Sequence, residues 1–165
     1  QDVEHCLDKK FVNALAFANT RSRLRMITLY QLAQSSNGLV VGTGNRVEDF
    51  GVGFFTKWGD GGVDISPIGD CLKTEVWAMG REFGLPQEII DAEPTDGLWD
   101  DGRNDEDQLG MTYPELELAM SQAETNSGVD NKQQKDNLKR YRDIRRRNLH
   151  KMEPIPVCKM PEAVL

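Results

Sequence analysis

Between Gly42 and Glu75 the chain reads GTGNRVEDFGVGFFTKWGDGGVDISPIGDCLKTE. Glycine, acid, lysine and threonine alternate there, where a plain packed domain would repeat an apolar period. That mixture suits phosphate and metal chemistry. Glycines let backbone N–H groups approach anionic oxygens, carboxylates hold a divalent cation, and lysine neutralises phosphate. By residue type alone, each candidate also has an ordinary role. Glu48 reads as a solvated acid at the start of a short helix. Asp60 lies in Asp-Gly, a common turn pair. Thr43 can cap a helix, Thr95 can bond its own backbone, and Lys73 can be a surface lysine beside an inward Leu72.

The elements that must carry these residues follow from apolar spacing. Residues 13–35 read as a helix with Phe17, Leu24, Ile27, Leu29 and Leu32 on one face and Arg21, Arg23 and Arg25 between them. Gly38 is placed to end it. Leu39–Val41 reads as a buried parallel strand, and in an open α/β sheet ligands bind just past the carboxyl ends of such strands. A glycine-rich loop spans 51–67. Residues 70–83 read as an amphipathic helix with Leu72, Val76, Met79, Gly80 and Phe83 inward, Asp70 as N-cap and Gly84 at the C-terminus. Pro86 opens a short helix through Ile90. Residues 92–107 form an acidic, irregular loop. A further helix begins near Pro114, and 132–147 reads as a basic helix. The tail, with Pro154, Pro156 and Pro161, is extended.

The 165 residues suffice for one domain with a core. A net charge of −7 argues against bulk nucleic-acid binding. Nine Lys or Arg between Lys132 and Lys151 do not reverse this, because no aromatic platform accompanies them. Three cysteines, Cys6, Cys71 and Cys158, form no CxxC pair and read as reduced thiols of a cytoplasmic protein. No apolar run is long enough for a membrane helix, and the first residues carry no signal-peptide pattern. Nothing around Cys71 marks a catalytic thiol.

Taken together and in order, NTRSRLRM (19–26), GTGNRVED, FFTKWGDGGVD, PIGDCLKTEV, PTDGLW and DEDQLG closely resemble the NAD synthetase family, from about Asn13 to Pro156. The resemblance implies an α/β fold of the adenine-nucleotide-alpha-hydrolase-like (Rossmann-like) kind, with a parallel sheet flanked by helices. It implies a homodimeric ligase that couples ATP, deamido-NAD and ammonia, free or glutamine-derived, to give NAD, AMP and pyrophosphate. The family's SGGxDS pyrophosphate loop does not occur in this sequence. Residues 1–165 are therefore read as the C-terminal portion of a single, N-terminally truncated synthetase domain that is inactive in isolation. No membrane or nucleic-acid partner is expected.

Carried over position by position, the resemblance makes Glu48 a Mg2+ carboxylate, with Asp60 assisting. Thr43, Lys73 and Thr95 become ATP contacts, with Lys73 and Asp60 catalytic. Arg23, Lys57 and Asp64 become deamido-NAD contacts, joined by Asn19, Tyr30, His150 and Lys151. Arg23 alone would read as a solvated helix face, and His150-Lys151 as the end of a basic helix. The family's deamido-NAD site lies at the dimer interface, so the first helix becomes a subunit contact. One departure stands out: Leu15 occupies the position of the family's nicotinate-stacking aromatic, with Phe17 two residues on.

Overall fold

The computed structural model describes residues 6–160, so Pro161 lies outside the described residues. In chain order the helices are α1 (Ala14–Ser35), α2 (Lys73–Glu82), α3 (Gln87–Ile90), α4 (Asp105–Leu109), α5 (Tyr113–Thr125) and α6 (Lys132–Met152). A π-helical turn, Arg46–Val52, stands between α1 and α2.

The expected parallel sheet is not present among the described residues. Leu39–Val41 makes one isolated parallel bridge, Val41 to Ile65, and no ladder. A strand is stabilised by neighbours on both edges and faces, and this segment has one partner at one residue. Val40 is buried, but Leu39 and Val41 are 65% and 55% exposed. The glycine-rich segment is a loop from 53 to 67, with one bridge at Ile65, and its first two residues belong to the π-helical turn, which Asn45 caps by accepting from Val47 and Glu48 N–H at 3.0 and 3.1 Å.

Helix α1 starts where Asn13 accepts from Ala16 N–H at 3.0 Å. It ends with Asn37, rather than Gly38, in the left-handed region at φ 51°. The apolar face read from its sequence is not covered within this chain: Leu24, Ile27, Leu29 and Leu32 are all exposed, and Ala18 and Ser22 are its buried residues. Helix α2 begins three residues after Asp70, which does not cap it. Instead Glu75 accepts from Leu72 N–H at 2.7 Å, and Glu117 of α5 accepts from Thr74 N–H and O–H at 3.0 and 2.8 Å. Phe83, expected inward, is exposed. Within the expected acidic loop, Asn104 and Asp107 form a capping box that nucleates α4. Thr112 and Glu115 do the same for α5.

The core lies between the π-helical turn, α5 and α6. It comprises Val47, Val52, Leu109, Met111, Leu116, Ala119, Met120 and Tyr141. Helix α6 also caps the carboxyl end of the π-helical turn. Arg145 Nη1 donates to Phe50 O and, at 2.6 Å, to Gly51 O. Asn148 donates to Val52 O at 3.0 Å, and Lys151 to Gly53 O and Phe55 O at 2.9 and 2.7 Å. Cations at a helical carboxyl end satisfy its orphan carbonyls. The close approach requires Gly53, whose φ is +66° and where an added Cβ would sit 2.8 Å from Asn148 Cβ. Among the described residues, no helix is long and apolar enough to cross a membrane.

Candidate active site

A cavity of about 600 Å³ opens between α1, the 42–44 turn, the π-helical turn, the 54–63 segment and the 94–99 loop. Of the residues singled out in the sequence, Asn19, Thr43, Glu48, Asp60, Lys73, Thr95 and Lys151 line it. Arg23, Tyr30, Lys57, Asp64 and His150 are not among its lining residues.

The inner wall is an acid–lysine cluster. Lys73 Nζ lies 3.1 Å from Glu48 Oε1, with the two side chains 19% and 14% exposed. Tyr113 O–H donates to the same Oε1, and its ring lies 4.9 Å from Lys73 Nζ. Asp105 Oδ2 is 3.3 Å from the Tyr113 hydroxyl, while Asp105 Oδ1 is buried with no hydrogen-bond partner among the described residues. Burial, and after it the charges of Glu48 and Asp96, push the Asp105 carboxyl up to about 6. Asp49 also faces the cavity. Burial, then Glu48 and Asp60, push it up to about 7. The phenol of Tyr113 is pushed far above its usual range, first by burial and then by Glu48.

The outer wall is a hydrogen-bonded latch between α1 and the Gly-Asp-Gly-Gly turn. Asp60 Oδ1 accepts from Ser22 O–H at 2.7 Å and from Thr56 N–H at 2.9 Å. Ser22 Oγ accepts from Asp60 N–H at 3.0 Å, and Thr56 O–H donates to Asn19 Oδ1 at 2.6 Å. The turn approaches α1 so closely that a Cβ at Gly59 would lie 2.2 Å from Ser22 Oγ. One oxygen of Asp60 thus serves the turn.

The 94–99 loop is held on α1 by two arginines read from the sequence as part of a solvated face. Arg21 donates to Leu98 O at 2.7 Å, and Arg25 donates to Asp96 O and Gly97 O at 3.2 and 2.9 Å. Thr95 Oγ1 accepts from Gly97 N–H at 3.2 Å, the local bond its type suggested.

The remaining candidates form two groups outside the cavity. Arg23 donates to Lys57 O at 3.2 Å, and Lys57 Nζ donates to His150 O. Separately, Tyr30 O–H donates to Asp64 Oδ1 at 3.2 Å while Asp64 Oδ2 accepts from Val40 N–H at 2.8 Å. The neighbours His150 and Lys151 diverge. His150 is exposed, whereas the half-buried Lys151 has its pKa lowered by burial.

Tyr113, Asp105, Ser22, Thr56, Arg21 and Arg25 were not singled out by sequence reasoning. Asp105 lies inside the quoted DEDQLG motif, and Thr112-x-x-Glu115 marks the helix start that carries Tyr113. Arg21, Ser22 and Arg25 lie inside NTRSRLRM and Thr56 inside FFTKWGDGGVD, but their partners are distant in sequence and no spacing gave their roles.

Against known proteins, the model of the NAD synthase family matches residues 2–155. The NH(3)-dependent NAD(+) synthetase of Carboxydothermus hydrogenoformans is 54% identical over 103 residues, covering 62% of this chain and 42% of that protein. That of Archaeoglobus fulgidus is 40% identical over 146 residues, covering 88% of this chain and 57% of that protein. The chain thus spans about half the length of the curated relatives it matches. Among solved structures, an NMN synthetase from Francisella tularensis superposes with a TM-score of 0.75 at 33% identity, over 93% of this chain and 59% of that one. An NH3-dependent NAD synthetase from Campylobacter jejuni gives a TM-score of 0.70 at 21% identity, over 92% of this chain and 58% of that one, a likeness of fold. With the family's motifs in order and its model matched over nearly the whole length, the chain belongs to the NAD synthase family.

Proposed function

We propose that the chain is the C-terminal part of an NAD synthetase, a ligase that amidates deamido-NAD to NAD at the expense of ATP. The observation that carries this reading is the Glu48–Lys73 pair, set at 3.1 Å on a cavity that Asn19, Thr43 and Thr95 also line. A nicotinate carboxylate is a poor electrophile, because its charge repels nucleophiles. Its attack on the α-phosphorus of ATP makes an acyl-adenylate and expels pyrophosphate, and ammonia then displaces AMP. Lys73 offers a compact ammonium to phosphate oxygens that gain charge as pyrophosphate leaves. Thr43 and Thr95 offer hydroxyls to ATP, and Asn19 offers its amide to deamido-NAD. The pyrophosphate cradle is supplied from chain beyond these residues, so this chain binds without turning over.

The outer groups suit the rest of deamido-NAD. Arg23 and Lys57 bring positive charge for its phosphates, with His150 beside them. Asp64 keeps lone pairs for ribose hydroxyls although Tyr30 and Val40 already use it. Lys151 must release its two carbonyls to reach a ligand. The uncovered face of α1, with Leu24, Ile27 and Leu32 exposed, supports a homodimer. Three free cysteines, Cys6, Cys71 and Cys158, support a cytoplasmic protein.

Magnesium fits this reading. Among the described residues no group of three or more His, Cys, Asp or Glu is arranged to hold a metal. Mg2+ needs only one or two protein carboxylates beside phosphate oxygens and waters. Among the described residues Glu48 Oε2 and Asp60 Oδ2 make no hydrogen bond, while the opposite oxygen of each is engaged. Glu48 would hold the ion with Asp60 assisting, and the ion would neutralise phosphate charge.

The test is amidation by the full-length protein with ATP and ammonium, run with deamido-NAD and, because of the NMN synthetase neighbour, with the deamidated mononucleotide. NAD, AMP and pyrophosphate in equal amounts are expected. No AMP with either acceptor would overturn the reading. For the chain alone, calorimetry with deamido-NAD should show binding without AMP formation.

A further inference from the structure

Tyr113 joins the two groups on which the proposed chemistry turns. It is fully buried although it is the first residue of α5. Its O–H donates to Glu48 Oε1, the oxygen that also accepts from Lys73 Nζ at 3.1 Å. Its ring supports the same ammonium at 4.9 Å. Further contacts hold the residue in place. Trp77 packs edge-on at 5.8 Å, Glu106 accepts the Tyr113 backbone N–H at 2.9 Å, and Asp105 Oδ2 lies 3.3 Å from the hydroxyl.

The Tyr113 hydroxyl shares Oε1 with the Lys73 ammonium, and among the described residues Oε2 makes no hydrogen bond. The ring attracts the ammonium through its quadrupole and brings no formal charge that would compete with phosphate. We propose that Tyr113 is a positioning residue that holds Glu48 and Lys73 adjacent but incompletely paired, leaving Oε2 open to a divalent cation and the ammonium open to a phosphate. This rests on the NAD synthetase reading.

The experiment uses the full-length protein and Tyr113→Phe, which keeps the ring and removes the hydroxyl. The Mg2+ midpoint is read twice: from NAD formation, and from the rise in melting temperature that Mg2+ gives with ATP bound. Loss of an outer partner of a metal carboxylate shifts affinity about tenfold or more, so both midpoints should rise together. The KM for ATP should rise and the KM for deamido-NAD should stay constant. In a Glu48→Gln background the Phe substitution should add nothing. Thr112→Ala, which removes the cap of the same helix, should lower the melting temperature and leave the Mg2+ midpoint where it was. If Tyr113→Phe does not fold, fluorotyrosine at 113 keeps the shape and alters the donor strength, and the midpoint must still move. A lower melting temperature with unchanged Mg2+ midpoints would make Tyr113 a packing residue and overturn the proposal. A wild-type protein that forms no NAD would overturn the functional reading and this proposal together. An active wild type with an unshifted variant overturns the proposal alone.

Discussion

Lys73 Nζ and Glu48 Oε1 lie 3.1 Å apart, although 25 positions separate the two residues in sequence. The π-helical turn carries the acid and the first turn of α2 carries the base, so the pair fixes these two elements against each other at the cavity wall.

Lys73→Ala in the full-length protein should lower kcat by about 10²–10³, the usual cost of removing one group that stabilises charge developing in the transition state. Steady-state kinetics under saturating ATP checks this, and near-normal turnover would remove Lys73 from the role.

Ser22 both donates to Asp60 Oδ1 and accepts from Asp60 N–H. Ser22→Ala breaks both ends of the latch and should cost about 1–3 kcal/mol, the penalty for leaving part-buried polar groups unsatisfied. Urea unfolding checks it. A loss of a few tenths would mean that water replaces the hydroxyl.

Neighbouring residues at the end of α6 should behave differently. Lys151→Met leaves Gly53 O and Phe55 O without their donor and should cost about 1–3 kcal/mol. His150→Ala, on an exposed side chain bonded within its own helix, should stay within about 0.5 kcal/mol of wild type. Equal effects in denaturant melts would contradict the separate roles assigned to them.

Asp49 and Asp105 should make the folded state less stable as pH rises. Their folded pKa values are raised to about 7 and about 6 by burial first and then by neighbouring acids, against about 3.9 for an unfolded Asp. Between these values the folded protein binds more protons than the unfolded one. Their contribution is therefore fully present below about pH 4 and is lost as pH climbs through about 6 and 7. Asp49→Asn and Asp105→Asn should each flatten the decline in urea midpoint across that interval. Curves parallel to wild type would show that neither group titrates there.

The sequence alone determined what is local and what is dense in motif. Asn13 as the start of α1, Gly84 at the end of α2 and Pro114 in the first turn of α5 depend on backbone bonds a few residues away, so residue type carries them. The ordered run of motifs determined the family, and it named seven residues that do share one cavity. Tertiary structure decided the rest. A three-residue apolar run cannot specify a sheet without strands to pair with, and Leu39–Val41 forms one bridge. Apolar spacing shows that α1 has an apolar face, but only packing decides whether this chain covers it, and Leu24, Ile27 and Leu32 remain exposed. Residue type and spacing did not single out Tyr113. Its meeting with Glu48, 65 positions away, depends on how α5 settles against the π-helical turn, and contacts at that separation leave no period or spacing in the chain.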